Sequence, residues 1–336
     1  MEDDPIDPRF VSGNILKRDV FSETIEGHLK YDEATKLVCR SLKNVPLWAR
    51  PIARYLAKRE IGALRRVQGI AGTPIIVNAN KHGILRIWTS GTPLQLARPT
   101  DPSWYRDARR LLREMRRRGV THNDIAKPQN WLMTPDGAAA VIDFQLANVH
   151  RRKGLIFRVM AREDLRHLLK QKKRYAPELL TASERRMLDN KSLPSKVWLA
   201  TGKKLYNFVT RKLMNWSDNE GSENRLMLEG GAIRERLMAP GVSDVFLVPF
   251  PLPSKGIGIY AFVEGPIHEA LPLPDLSQSV AALPRRNGKI AEDVLFLVAQ
   301  NRMDELALLL EREPALEAVV ADIRANRQNL TDRILK

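Results

Sequence analysis

The sequence predicts an α+β chain in two parts, and three observations support this. Short apolar-alternating segments flank a helix ahead of Asp101, and a helix, a polar loop and a short hairpin follow. Composition then changes abruptly near Trp216. That order is not the repeated strand–helix–strand alternation of a parallel sheet. The chain has 336 residues, 43% of them hydrophobic and 28% charged, which reads as globular, with one large domain or two unequal ones. Lys+Arg number 55 against 39 Asp+Glu, a formal net charge of +16, so an anionic partner is expected. A single cysteine, Cys39, excludes an intrachain disulfide framework and any multi-cysteine metal site. No apolar run approaches the roughly 18 residues needed to span a bilayer. Met1-Glu2-Asp3-Asp4-Pro5 does not read as a signal peptide. The expectation is a cytoplasmic protein.

Residues 17–43 alternate apolar and polar, with turn signals at Gly27 and Asp32-Glu33, and predict a small antiparallel sheet. Pro51 opens a helix to about Gln68, whose inward stripe is Ala53, Leu56, Ala63, Leu64 and Val67. Glu60 falls on that stripe. Read alone it is an edge residue reaching water; read as buried it needs a cationic or hydrogen-bonding partner. Strands are expected at 74–78 and 83–88, then a helix capped by Asp101-Pro102, with Tyr105, Ala108, Leu111, Leu112 and Met115 inward. It ends at Arg116-Arg117-Arg118-Gly119, cations and glycine at the negative end of the helix. After a polar loop, Trp131-Leu132, the turn Pro135-Asp136-Gly137 and Ala140-Val141-Ile142 read as a hairpin.

The polar loop carries the chemistry. Asp124, Lys127 and Asn130 precede the hairpin, and Asp143 follows its second strand, 13 residues after Asn130. The hairpin would fold Asp143 back beside the loop. Phosphoryl transfer requires a carboxylate to orient or deprotonate a hydroxyl, oxygen ligands for magnesium, and a cation for the charge on the transferring group. Asp124 suits the first role, Asn130 and Asp143 the second, and Lys127 the third.

His122, Asp124, Lys127 and Asn130, with Asp143-Phe144-Gln145, resemble the catalytic loop and metal-binding Asp-Phe-Gly of the protein-kinase-like superfamily. The likeness is to its atypical bacterial members and the lipopolysaccharide-sugar kinases. It covers about 15–215 and implies a two-lobed kinase-like fold, with an N-lobe at 15–92 and a C-lobe at 93–215. It implies ATP and Mg2+ as cofactors, Glu60 paired with a strand-3 cation, and adenine packed around Ile87, Trp88 and Thr89. For that cation Arg40 fits the register, while Lys43 lies three residues later; arginine is not equivalent to lysine at such a site.

The departures are specific. Asn130 stands six residues after Asp124, where the family pattern has five. Gln145 replaces glycine, which should stiffen the segment. No glycine-rich phosphate loop precedes the helix, and only Ser22, Thr24 and Gly27 could serve a phosphate-covering hairpin. The basic region begins within six residues of Gln145, so a long activation segment of the ordinary protein-kinase kind is not expected.

From Arg151 to Trp216, Lys and Arg outnumber Asp and Glu by 18 to 5. Phe157, Val159, Met160, Leu165, Leu168 and Leu169 have helical spacing, so a basic amphipathic helix is expected. It would either pack on the core or dock on an anionic membrane surface. His167 reads as a plain helix residue. The stretch 216–224 reads as a linker. In 225–336, a helix at 232–238, two strands flanking a Pro/Gly turn within 241–264, and Arg285-Arg286-Asn287-Gly288-Lys289 form a small α+β domain. It resembles the C-terminal subdomain of adenylate-forming enzymes of the acyl-CoA synthetase type, with Lys289 at the place of the catalytic lysine. Without the large adenylation domain it implies a binding or regulatory module. One or two further helices, broken at Pro314, should end the chain.

The sequence thus points to an ATP·Mg-dependent phosphotransferase of the atypical Ser/Thr-kinase type. Its acceptor is a protein hydroxyl, or a lipid or sugar hydroxyl at the inner membrane face. The alternative is a pseudokinase scaffold that binds nucleotide without turnover. Nucleic-acid binding ranks last, since aromatics do not interleave the basic segment.

Overall fold

The computed structural model describes residues 6–189, 223–252, 256–267 and 274–331. The chain divides into two units, Met1–Ser195 and Lys196–Lys336. Residues 190–222, which include the distal half of the basic segment and most of the expected linker, lie outside the described residues. Residues 223 and 224 open a helix instead.

The first unit begins with a five-stranded antiparallel sheet in the order β1-β2-β3-β5-β4. Its strands are β1 (Phe10–Arg18), β2 (Glu23–Leu29), β3 (Asp32–Ser41), β4 (Ile76–Asn80) and β5 (Gly83–Ile87). Helix α1 (Arg50–Val67) is inserted between β3 and β4. The sheet starts earlier than residue 15, because Ile6 and Phe10 are apolar and cover one face with Leu37, Cys39 and Leu85. Gly27 is not a turn residue. It lies inside β2, where a Cβ would sit 2.1 Å from the Val11 carbonyl oxygen and 2.7 Å from the Phe10 ring, so glycine permits the close strand approach. The turn between β1 and β2 falls at Asp19–Ser22, where Asp19 Oδ1 accepts from the amides of Phe21 (2.7 Å) and Ser22 (2.8 Å).

Strand alternation sorts the β3 side chains. Leu37 and Cys39 join the outer cluster, which leaves Val38 and Arg40 on the other face. There Ile84 of β5 packs with Ala63 and Leu64 of α1. The buried α1 positions are Ala53, Ala57, Glu60, Ala63, Leu64 and Val67, so Glu60 is an inward residue.

The lower part of the unit follows: β6 (Thr92–Pro93), α2 (Leu94–Ala97), α3 (Pro102–Arg117), β7 (Val120–Thr121), β8 (Trp131–Met133), β9 (Ala139–Val141), β10 (Asn148–Val149), α4 (Leu155–Tyr175) and α5 (Ala182–Asp189). Asp101 caps α3, accepting from the Ser103 amide at 2.7 Å. Trp104 and Trp131, both fully buried, meet edge to face at 5.9 Å and anchor α3 to β8. Gly119 has φ +75, and a Cβ there would lie 2.7 Å from the His150 carbonyl, so this helix stop needs glycine. Helix α4 turns Phe157, Leu168 and Leu169 inward. Its apolar stripe is spent on the core.

In the second unit, α6 (Glu223–Leu237), β11 (Asp244–Leu252), β12 (Gly256–Glu264), β13 (Leu276–Val280), β14 (Arg285–Arg286), β15 (Lys289–Ile290), α7 (Glu292–Ala299), α8 (Met303–Arg312) and α9 (Glu317–Ala325) follow in order. β11 and β12 are antiparallel, and β13 runs parallel to β12. Helix α6 starts nine residues before the expected Ala232. The C-terminal helical segment breaks at Asn301-Arg302 as well as at Pro314, giving three helices. Positive φ at Asn287 and Gly288 makes a tight β14–β15 hairpin that holds Lys289 exposed.

Candidate functional site

The hairpin β8–β9 does what the sequence required of it. Trp131 pairs with Val141, and the Ile142 amide donates to the Asn130 carbonyl at 2.9 Å, which places Asp143 next to the loop that carries Asn130. Asn130 closes a short 3-10 turn (Pro128–Asn130). Its Nδ2 donates to the Asp124 carbonyl at 2.9 Å and to Asp124 Oδ2 at 3.1 Å. That leaves the carboxamide oxygen Oδ1 as the side-chain atom available to a cation. Lys127 Nζ lies 2.9 Å from Asp124 Oδ2. The extra residue between Asp124 and Asn130 is absorbed by this turn, and the two side chains still meet.

His122 is a buried strut. Its Nε2 stands 3.0 Å from the Ile142 carbonyl and its Nδ1 accepts from the Asp124 amide at 3.4 Å; one tautomer, with hydrogen on Nε2, serves both contacts. Its ring lies 4.7 Å from that of Phe144. Sequence reasoning missed the group that holds the loop from beneath. Asp164 of α4 accepts from the His122 amide at 2.8 Å and the Asn123 amide at 2.9 Å. Burial pushes its carboxyl up, against those two amides. The signal was available: Asp164 falls on the same α4 stripe as Phe157 and Leu168, as Glu60 falls on that of α1.

Asp143 has φ 64 and ψ 68, the left-handed region, which is strained for a non-glycine residue and is held here by the Ile142 and Phe144 contacts on either side. Its carboxylate accepts no hydrogen bond from the described residues. Burial would push this carboxyl up, but Arg40, then Lys17 and Lys127, outweigh it and hold it below the usual carboxylate range. Lys17 of β1 was another residue the sequence did not single out.

Glu60 takes Arg40 as its partner, Nη1 to Oε2 at 2.5 Å, with both side chains nearly inaccessible. Lys43 instead lies exposed beyond the end of β3. Burial works against the Arg40 charge, but Glu60, Asp143 and Asp19 together raise it further. Arg59, one residue before Glu60, ties α1 to the segment after Asp143, donating to the Leu146 carbonyl at 3.1 Å and Asn148 Oδ1 at 2.6 Å.

The adenine-facing residues need one correction. Ile87 pairs with Leu37 and joins the outer cluster, so alternation turns its side chain away from the Arg40 face. Val38 and Ile84 stand on the Arg40 face instead. Trp88, whose amide donates to the Lys36 carbonyl at 2.9 Å, is 37% exposed, and Thr89 is half-buried beside it. Ser22 and Thr24 flank a turn whose amides are already taken by Asp19. Val20 and Phe21 of that turn pack on Val45, Ala49 and Ala53 at the start of α1.

The described residues contain no cluster of three or more His, Cys, Asp or Glu side chains able to hold a metal. Asn130 Oδ1 and the Asp143 carboxylate are hard oxygen donors, and magnesium is commonly held by one or two such side chains plus substrate phosphates. The donor set therefore fits that ion.

No protein-family model and no curated protein matches the chain. Among solved structures it is similar to the Rio2 kinase from Chaetomium thermophilum, at 13% identity and a TM-score of 0.42, over 53% of this chain and 62% of that one. The match thus spans less than two thirds of that kinase's length. The first unit is α+β: a strand cation meets a helix carboxylate between the five-stranded sheet and α1, and a loop–hairpin brings Asp143 beside the hydrogen-bonded pair Asp124 and Asn130.

Proposed function

We propose that the first unit is an ATP- and magnesium-dependent phosphotransferase centre of the atypical Ser/Thr-kinase type, which passes a γ-phosphoryl group to a hydroxyl. The observation that carries this reading is the hydrogen-bonded set Asp124–Asn130 with Asp143 brought beside it by the β8–β9 hairpin, under the charge of Arg40, Lys17 and Lys127. Asp124 would orient the acceptor hydroxyl and take its proton as the oxygen attacks. Asn130 and Asp143 would hold magnesium, which supplies charge neutralisation at the phosphate oxygens. Lys127 and Arg40 would meet the remaining negative charge, with Glu60 fixing the guanidinium. Trp88 and Thr89 offer the surface for adenine. The acceptor is a protein hydroxyl, or a lipid or sugar hydroxyl at the inner face of a membrane, where a cytoplasmic protein with this charge would sit.

A second reading, a pseudokinase that binds nucleotide without turnover, is favoured by one specific observation. The β1–β2 turn has no glycine-rich run, and its amides at Phe21 and Ser22 are filled by Asp19 rather than left for a phosphate. The second unit, by its resemblance to the adenylate-forming subdomain, would serve as a binding or regulatory module. A thermal-shift titration with ATP, with and without magnesium, paired with a turnover assay on wild type and Asp143→Ala, separates the two. Magnesium-dependent stabilisation and turnover, both lost in the variant, support the phosphotransferase. Stabilisation without turnover supports the pseudokinase, and unchanged turnover in Asp143→Ala rejects the site.

A further inference from the structure

The outward side of α1 is unlike an ordinary solvated helix face. Ala53, Ala57, Glu60, Leu64 and Val67 are buried against the core, while the opposite side exposes large apolar groups. Leu47 is 76%, Trp48 62%, Ile52 48% and Tyr55 61% exposed. Ile52 and Tyr55 stand three residues apart on α1, and Leu47 and Trp48 lie on the turn that leads into it. Arg54 and Lys58 are exposed on the same helix, one turn apart. No acidic residue lies between Glu33 and Glu60, and Glu60 is buried and paired, so the exposed charges that this segment itself carries are basic.

We propose that this α1 face is a docking surface for an anionic lipid bilayer. Leu47 and Ile52 are aliphatic groups that gain by entering the acyl boundary, and Trp48 and Tyr55 are the side chains favoured at the level of the headgroups. Arg54 and Lys58 complement anionic headgroups, each such contact being worth about 1 kcal/mol near the surface. A nucleic-acid strand would use the cations and rings but give the two aliphatic side chains nothing to bury. A second copy of the chain would bring like charge against like. The platform is already rigid: the Arg59 guanidinium lies over the Tyr55 ring at 5.7 Å while hydrogen-bonding to Leu146 and Asn148, so little is lost on ordering. On α4, Phe157, Leu168 and Leu169 are turned into the core, while Leu155 and Ile156 at its start are 78% and 72% exposed beside Arg151, Arg152 and Lys153 and present a shorter patch without an aromatic ring.

The experiment is co-sedimentation of the full chain with phosphatidylcholine vesicles, with and without phosphatidylglycerol. Wild type should pellet with the anionic vesicles only and be released by salt. The variant Leu47→Ser/Trp48→Ser/Ile52→Ser, whose sites are exposed, should keep its melting temperature and lose at least about tenfold in partitioning. Arg54→Glu/Lys58→Glu should lose as much. Failure of wild type to bind the anionic vesicles overturns the proposal. So does undiminished binding of the triple-serine variant, and so does loss of binding in Lys170→Glu/Lys173→Glu on α4 while the triple-serine variant still binds. Retention on single-stranded RNA without vesicle binding would assign the face to nucleic acid and also overturn it.

Discussion

Arg40 of β3 and Glu60 of α1 meet at 2.5 Å inside the upper lobe, and this pair fixes how the helix stands over the sheet. Two buried opposite charges recover little net energy beyond their desolvation, but losing one strands the other. Glu60→Ala should therefore cost about 3–5 kcal/mol. Chemical denaturation measures this, and a loss under about 1 kcal/mol would mean that the guanidinium reaches water. Arg40→Lys should retain part of the stability and less of any phosphate binding, because the ammonium offers no planar fork.

Asp164 is the second support. Asp164→Asn keeps one carbonyl acceptor and replaces the other with a donor facing a backbone amide. The expected cost is about 1–3 kcal/mol. Because Asp164 acts through the loop rather than on a substrate, turnover should fall while nucleotide affinity holds. Equal losses in kcat and in affinity would point to general unfolding instead.

Much of this was legible in the sequence, for physical reasons. Short strands and the α1 and α3 stripes follow from period and capping, and Asp124, Lys127, Asn130 and Asp143 announced themselves as polar groups around a buried hairpin. Glu60 was visible as a carboxylate on an apolar stripe. Asp164 carried the same signal, but the charge of its segment hid it, since one acid among many cations reads as surface. Ile87 was misjudged because the face of a strand residue depends on pairing register, which β3 sets across the chain. Gly27 resembled a turn because glycine serves both turns and close strand approaches. Lys17 and Asp19 needed the bend of the β1–β2 hairpin to reach the site at all.

Asp19 fills the turn amides that a phosphate would otherwise meet, and its charge falls on Arg40. Asp19→Gly should raise ATP affinity several-fold, measured by calorimetry with magnesium present. Unchanged or weaker binding would show that the turn takes no part in holding phosphate.

Asp7 gives a pH signature. Its carboxyl is held down to about 2, first by the Arg9 side chain, although burial opposes this. A carboxyl with a lower value in the folded than in the unfolded chain adds stability above the unfolded value of about 3.9, and that stability is lost as pH falls through the interval. Arg9 is mostly exposed, so solvent screening weakens the effect. Stability of wild type should drop between about pH 4 and 2 more steeply than that of Asp7→Asn. Parallel curves would contradict the pairing.

The most direct measurement is transfer of label from γ-labelled ATP to acceptors in whole-cell lysate and membranes, comparing wild type with Asp124→Asn. Label should reach a hydroxyl acceptor with wild type and vanish with Asp124→Asn, while the variant still binds Mg·ATP. Label that survives the substitution, or wild type that binds Mg·ATP and transfers nothing, would contradict the account.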